Sequence, residues 1–235
     1  MKYAALCVMG FIVVNLLGCG TSFENQSRPQ ASSTNAKEHT ESLAKQIREG
    51  MTKPEMMKLE YIGEHAELGV RGVKQREFAR PLMLQLVAYG KAAEEPLWTL
   101  INDEDESVRR SCVMLLNIRA EYPLYDGPKI ESQAIQELCI PILERVLTSK
   151  DTEVQFNACG NLADYKDFSD DCLDRLRLTL PMIRELKDDE NDPLRRMAWT
   201  AYNSILASLT TRGKTPEIRS QASEEYKAFR QEKNW

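Results

Sequence analysis

Hydrophobic and polar positions divide the chain into three regimes. Tyr3 to Val14 is almost continuously apolar, with Ala4, Ala5, Leu6, Val8, Phe11, Ile12, Val13 and Val14. Thr21 to about Lys37 is built from Ser, Asn, Gln, Thr and Pro and has almost no large apolar side chains. From about residue 41 onward, apolar residues return at spacings of three and four, the period of amphipathic helices. Leu43 to Ile47 and Met56 to Ile62 show it, and so does most of the chain beyond residue 90. No alternating strand pattern of useful length occurs, and Gly is sparse (11 residues). The pattern therefore predicts an all-α domain over 41–235 behind a polar tether over 19–40 that cannot bury enough surface to fold.

The helical part repeats itself. Pro96-Leu97-Trp98-Thr99-Leu100-Ile101 precedes an acidic turn and then Asp105-Glu106-Ser107-Val108-Arg109-Arg110-Ser111-Cys112. Pro141 to Leu147 precedes Asp151-Thr152-Glu153-Val154-Gln155-Phe156-Asn157-Ala158, and Pro181 to Leu186 precedes Asn191-Asp192-Pro193-Leu194-Arg195-Arg196-Met197-Ala198. In each segment an Asp or Asn stands three residues before a branched apolar residue (Val108, Val154, Leu194). A small residue follows four later (Cys112, Ala158, Ala198), and a large one eight later (Leu116, Leu162, Tyr202). The Asp or Asn is placed to cap the second helix, and its charge suits the helix N-terminus. The small residue lets neighbouring helices approach.

This pattern resembles the HEAT family of helical repeats, whose units span about 40–47 residues. The resemblance implies a right-handed α-solenoid of helix pairs that must stack to cover their open faces. It is clearest over 92–120, 130–165 and 170–210, and poor over 50–90. There Gln75 to Met83 would be a degenerate second helix, disturbed by Pro81. The resemblance also implies that Arg109 and Arg195 bond acidic groups of adjacent turns. Gln155 replaces Arg in the middle unit and should break that ladder, and Asn191 replaces Asp in the last. Thr215-Pro216-Glu217 is a helix start and predicts a polar capping helix over 215–233.

At the N-terminus, Lys2 and the apolar run end in Leu16-Leu17-Gly18-Cys19. The run is shorter than the ~20 residues a membrane span needs. It resembles the lipobox of a bacterial lipoprotein signal peptide. That resemblance implies cleavage after residue 18, lipidation of Cys19, and anchoring through acyl chains such as palmitate, each buried CH₂ contributing roughly 0.8 kcal/mol. The expected location is the cell envelope. Gly20, where Asp would retain many lipoproteins in the inner membrane, favours an outer-membrane or surface address in a two-membrane bacterium.

Charge narrows the partners. The chain carries −5, and losing Lys2 with the leader leaves −6. Nucleic acid binds through Lys and Arg, so no nucleic-acid role is expected. His39 and His65 stand alone, and Cys112, Cys139, Cys159 and Cys172 form no C-x-x-C pair. No metal site and no cofactor are expected. The thiols read as buried and free, about 10 Å apart at equivalent positions and too far for a bridge, although export leaves one disulfide open. Asp164 to Asp171 is rich in oxygen ligands but lacks the EF-hand spacing, so it reads as a capping turn. The acidic turns 103–106 and 188–192 read as helix-start charge rather than hydrolytic carboxylates.

No nucleophile, phosphate-loop or metalloprotease motif occurs. The expectation is therefore a non-enzymatic adaptor or scaffold that binds another envelope protein. Tyr122 and Tyr125 in a long inter-unit linker and Trp199 are the candidate contact residues. The alternative is an envelope enzyme, or a ligand- or metal-binding protein using the concave face of the array. Some HEAT-like proteins attach bilin chromophores or excise damaged bases, and both jobs disagree with the leader and the acidity.

Overall fold

The computed structural model describes residues 33–56, 73–116 and 132–232, which contain helices and turns and no strand. Helix α1 is Ser33–Met51 and α2 is Val73–Ala88. A 3₁₀ turn, Gly90–Ala93, leads into α3, Glu94–Ile101, and α4 is Glu106–Leu115. Next come α5 (Ser132–Ala134), a π turn (Ile135–Cys139), α6 (Ile140–Val146) and α7 (Thr152–Tyr165). Helix α8 (Asp170–Leu176), a 3₁₀ turn (Arg177–Thr179) and α9 (Leu180–Leu186) precede α10 (Asp192–Arg212) and α11 (Pro216–Glu232). The second helices α2, α4, α7 and α10 pack in chain order, and α11 closes the row against α10. In the other row α1 meets α3, the turn before α3 meets the π turn, and the π turn meets α8. The protein is an all-α solenoid of stacked helix pairs.

The repeat positions explain the stacking. Asp105 Oδ1 accepts from the Ser107 and Val108 amides (2.9 and 3.3 Å), and Asp151 Oδ1 accepts from those of Glu153 and Val154 (3.1 and 3.2 Å). Asn191 does the same for Leu194 (3.0 Å). Each such cap is worth about 1 kcal/mol. Val108, Val154 and Leu194, then Cys112, Ala158 and Ala198, then Leu116, Leu162 and Tyr202 all lie in one continuous core, none more than 1% exposed. The prolines have a second effect. Proline lacks an N–H and clashes with the preceding turn, and each of Pro96, Pro141 and Pro181 follows an irregular turn in its first helix. Before Pro141 the Ile140 amide reaches back five residues to Ile135 O.

Two boundaries differ from the sequence expectation. The tether does not extend to residue 40, because α1 starts at Ser33. Thr40 continues the stripe of Leu43, Ala44, Ile47 and Met51 into the core, and its hydroxyl donates to Lys37 O (2.8 Å) and Ala92 O (3.3 Å). A hydroxyl satisfied this way can be buried, and the polar neighbours stay on the solvated side. The degenerate unit is also a full helix: α2 runs through Pro81, with Ala79 and Met83 buried where later units have Cys112 and Leu116. Buried Gln75 replaces the branched residue. Its Nε2 donates to Met51 O at the end of α1 (2.7 Å), and its Oε1 accepts from Ser107 Oγ (2.7 Å). Helix α11 begins at Pro216, with Thr215 Oγ1 accepting from Ile218 N (3.3 Å).

The end of α4 is satisfied from the next unit. Asn161 Nδ2 donates to Val113 O (2.7 Å) and the Tyr165 hydroxyl donates to Leu116 O. A helix leaves its last carbonyls without partners, so these buried polar side chains of α7 take the place of a C-cap. Cys112, Cys139, Cys159 and Cys172 are buried free thiols.

Candidate functional site

The residue after each branched core position works at the turn edge. Arg109 Nη1 donates to Asp103 O (3.0 Å) and Glu104 O (3.3 Å), and Arg195 Nη1 donates to Asp189 O (3.0 Å). Gln155 Nε2 donates to Leu147 O (2.8 Å) in the same role. Arg195 Nη2 ends on Asp192 of its own helix, so the bond to an acidic group of an adjacent turn expected of it is not made among the described residues, whereas Arg109 has reach to spare. Arg109 Nη2 extends to Asp151 of the following turn (3.0 Å), joined there by Arg110 Nε (3.3 Å). One unit earlier, Arg48 Nε meets Asp103 (2.6 Å) and Arg48 Nη2 meets Glu104 (3.1 Å). Gln155 bonds inside its own unit, which is where the ladder was expected to break. Burial pushes the Asp151 carboxyl up, but hydrogen bonds from Arg109 and Arg110 outweigh it and hold the group below the usual carboxylate range.

A second ladder joins the first helices. Arg145 stacks 3.6 Å from the Trp98 ring centroid and lies 3.9 Å from Glu94. Arg175 meets Glu144 at 2.5 Å, and burial raises that carboxyl despite the partner.

Between these edges, the outer side of the second helices is open. Equivalent positions on α4, α7 and α10 are Arg110, Phe156 and Arg196, and four residues on, Met114, Gly160 and Thr200. Met114 is 40% exposed, and Phe156, Gly160 and Met197 are half-buried. A Cβ added to Gly160 would stand 3.8 Å from the Met197 sulfur, so α7 and α10 meet there with little side-chain cover. These three helices thus carry a strip of one soft apolar side chain each, the exposed Met114 and the half-buried Phe156 and Met197, the last two also packed against the core. Thioethers and rings of this kind adapt to differing partners.

The candidate contact residues are distributed differently from the expectation. Cys19, Tyr122 and Tyr125 lie outside the described residues. Trp199 is engaged inside the stack rather than offered on its face. Its Nε1 donates to Lys187 O (3.0 Å), and its ring lies 4.2 Å from Phe229 of α11. The capping helix covers it, which the helical period of α10 alone could not show. The strip itself was missed because Met114 and Phe156 sit at the outward phase of helices otherwise read for their core positions. His39 belongs to α1, its ring 5.3 Å from Tyr89. The oxygen-rich turn is a salt-bridged joint. Ser169 Oγ accepts from Cys172 N (3.0 Å), Arg212 meets Asp170 (2.8 Å), and Lys214 meets Asp171 (2.7 Å). Those cations occupy the carboxylates a calcium ion would need.

Burial pushes the Cys139 and Cys159 thiols up to about 12, and those of Cys112 and Cys172 also rise. A nucleophilic cysteine needs its thiolate, so all four are inert near neutrality. Three grooves lie among the described residues. One of 460 Å³ lies beside Arg109, Arg110 and Asp151, one of 520 Å³ between α1 and α3, and one of 260 Å³ between α9, α10 and α11.

No family model matches the chain, and no curated protein does. Solved structures similar to it include an engineered structural-genomics target, at 16% identity over 86% of this chain and 93% of that one (TM-score 0.41). A designed armadillo repeat protein in complex with the peptide (KR)4 is 18% identical over 83% of this chain and 92% of that one (TM-score 0.41). A computationally designed armadillo repeat protein for modular peptide recognition is 17% identical over 83% and 92% (TM-score 0.39).

Proposed function

We propose that this protein is a lipid-anchored scaffold of the cell envelope that binds another protein along the outer side of its second helices. The observation that carries the binding reading is the strip of Met114, Phe156 and Met197 across three consecutive units. Phe156 and Met197 also pack against the core, but Met114 is exposed, and adaptable protein surfaces use side chains of this kind. The anchor rests on Leu16-Leu17-Gly18-Cys19 behind an apolar run. In a two-membrane bacterium, Gly20 favours an address at the outer membrane or cell surface.

Crosslinking and affinity capture from envelopes tests the surface. Wild-type chain should recover a defined partner, and Phe156→Ala with Met114→Lys should lose at least ~10-fold of it, about 1.4 kcal/mol, while the helical signal is kept. Equal recovery by both forms would overturn the assignment of the face. For the anchor, Cys19→Ser should abolish incorporation of a fatty-acid probe. Label that persists in the variant would refute lipidation at that residue.

A further inference from the structure

Helix α1 carries a stripe of alternating charge along its exposed face. Lys37, Glu41, Lys45 and Glu49 follow one another at four-residue intervals, all exposed. The internal pairs are loose, 3.9 Å for Lys37–Glu41 and 3.7 Å for Lys45–Glu49. They also run in the order that helps a helix least, with Lys before Glu. Glu49 stands in the last turn, where the helix end is already partly negative. Only Glu41 and Lys45 stand in the favourable order, so the stripe stabilises α1 weakly.

Lys37, Glu41 and Lys45 of the stripe line one wall of the 520 Å³ groove, with Glu49 one turn beyond Lys45, and the other wall is formed by residues between Lys91 and Asp103. Two contacts set the register: Thr40 Oγ1 donates to Ala92 O, and Arg48 Nε to Asp103. The two walls thus run in the same direction. Lys37 and Lys91 come at one end, Glu41 and Glu95 about one turn further on, and Lys45 beyond them. Like charges share each level. Among the described residues neither the Lys91 nor the Glu95 side chain is in a salt bridge. The floor between them is apolar, made by Ala44, Ala92, Pro96 and Leu100. The complementary guest is a helix carrying Glu, Lys, Glu and Lys at about 6 Å intervals along its axis.

Helix α1 read backwards is that guest. We propose that the protein forms a two-fold symmetric homodimer in which the α1 helices of two copies pack antiparallel, each in the other's α1/α3 groove. Glu49 of one copy then faces Lys37 and Lys91 of the other, Lys45 faces Glu41 and Glu95, and the symmetry repeats both contacts. Such a self-complementary patch is what a two-fold interface requires. The two α1 and two α3 helices make a four-helix arrangement. Helix α1 is about 28 Å long, and with the α3 wall it offers on the order of 600 Å² per copy. That is the low end of specific interfaces, so a micromolar dimer is expected.

Sedimentation of the full chain in mild detergent tests the pairing. Wild type should shift from monomer to dimer over roughly 1–100 µM, and the dimer should weaken at least ~10-fold from 50 to 500 mM salt because exposed charges are screened. K37E/K45E should be monomeric, and so should E41K/E49K, with circular dichroism unchanged because all four residues are exposed. An equimolar mixture of the two variants should restore a one-to-one dimer. A monomeric wild type, dimeric variants, or variants that fail to recover on mixing would each overturn the proposal.

Discussion

Asp151 concentrates three tasks in one carboxylate. One oxygen caps α7, and the group receives two arginines from the preceding unit. Asp151→Asn keeps the cap, since Asn is as good an N-cap, and removes the charge. It should cost about 1–2 kcal/mol, while Asp151→Ala, which loses the cap too, should cost about 2–3 kcal/mol. The difference is read from denaturant midpoints. The pH dependence has a definite sign. The folded carboxyl titrates below its unfolded value of about 3.9, so between the two values the unfolded chain binds more protons and stability rises with pH. The contribution is complete above the unfolded value and disappears as pH falls through the folded one. Wild type and Asp151→Asn should therefore converge in strong acid, and a constant gap down to that range would contradict the assignment.

At the scale of elements, the seam between α10 and α11 is the strongest case. Phe229 is 4% exposed and lies 4.2 Å from the Trp199 ring and 4.8 Å from that of Tyr202, whose hydroxyl bonds Glu225. Phe229→Ala should cost about 3 kcal/mol and release α11 before the rest of the stack. Trp199 fluorescence should then report a separate transition at lower denaturant, and a single unshifted transition would show that α11 does not depend on this ring. The seam also marks a limit of sequence reading. Helix pairs, caps and core positions were legible because Asp105, Val108 and Cys112 recur in phase with Asp151, Val154 and Ala158. The destination of Trp199 was not, because it depends on a helix with no counterpart in the repeat. The first unit was hidden for a related reason: Gln75 stands where the period asks for a branched apolar residue, and its bonds to Met51 O and Ser107 Oγ explain the exchange. The strip of Met114 and Phe156 left no periodic signal, since outward positions vary freely.

At the scale of the whole molecule, each pair depends on its neighbours, and stability is a sum along a line rather than around one centre. End pairs have one neighbour fewer and should open at lower free energy than middle ones. The four cysteines mark this gradient. Cys112 belongs to the second pair, Cys139 and Cys159 to the third, and Cys172 to the fourth. Since no thiol is reachable while its layer is closed, alkylation in mild urea becomes a chronometer of local melting, written residue by residue into the natural chain. Cys139 and Cys159 should take up the reagent last, and four identical rates would mean that the array opens in a single cooperative step. The same sealing sets a condition on folding: until the layers close, every one of these sulfurs is open to oxidants.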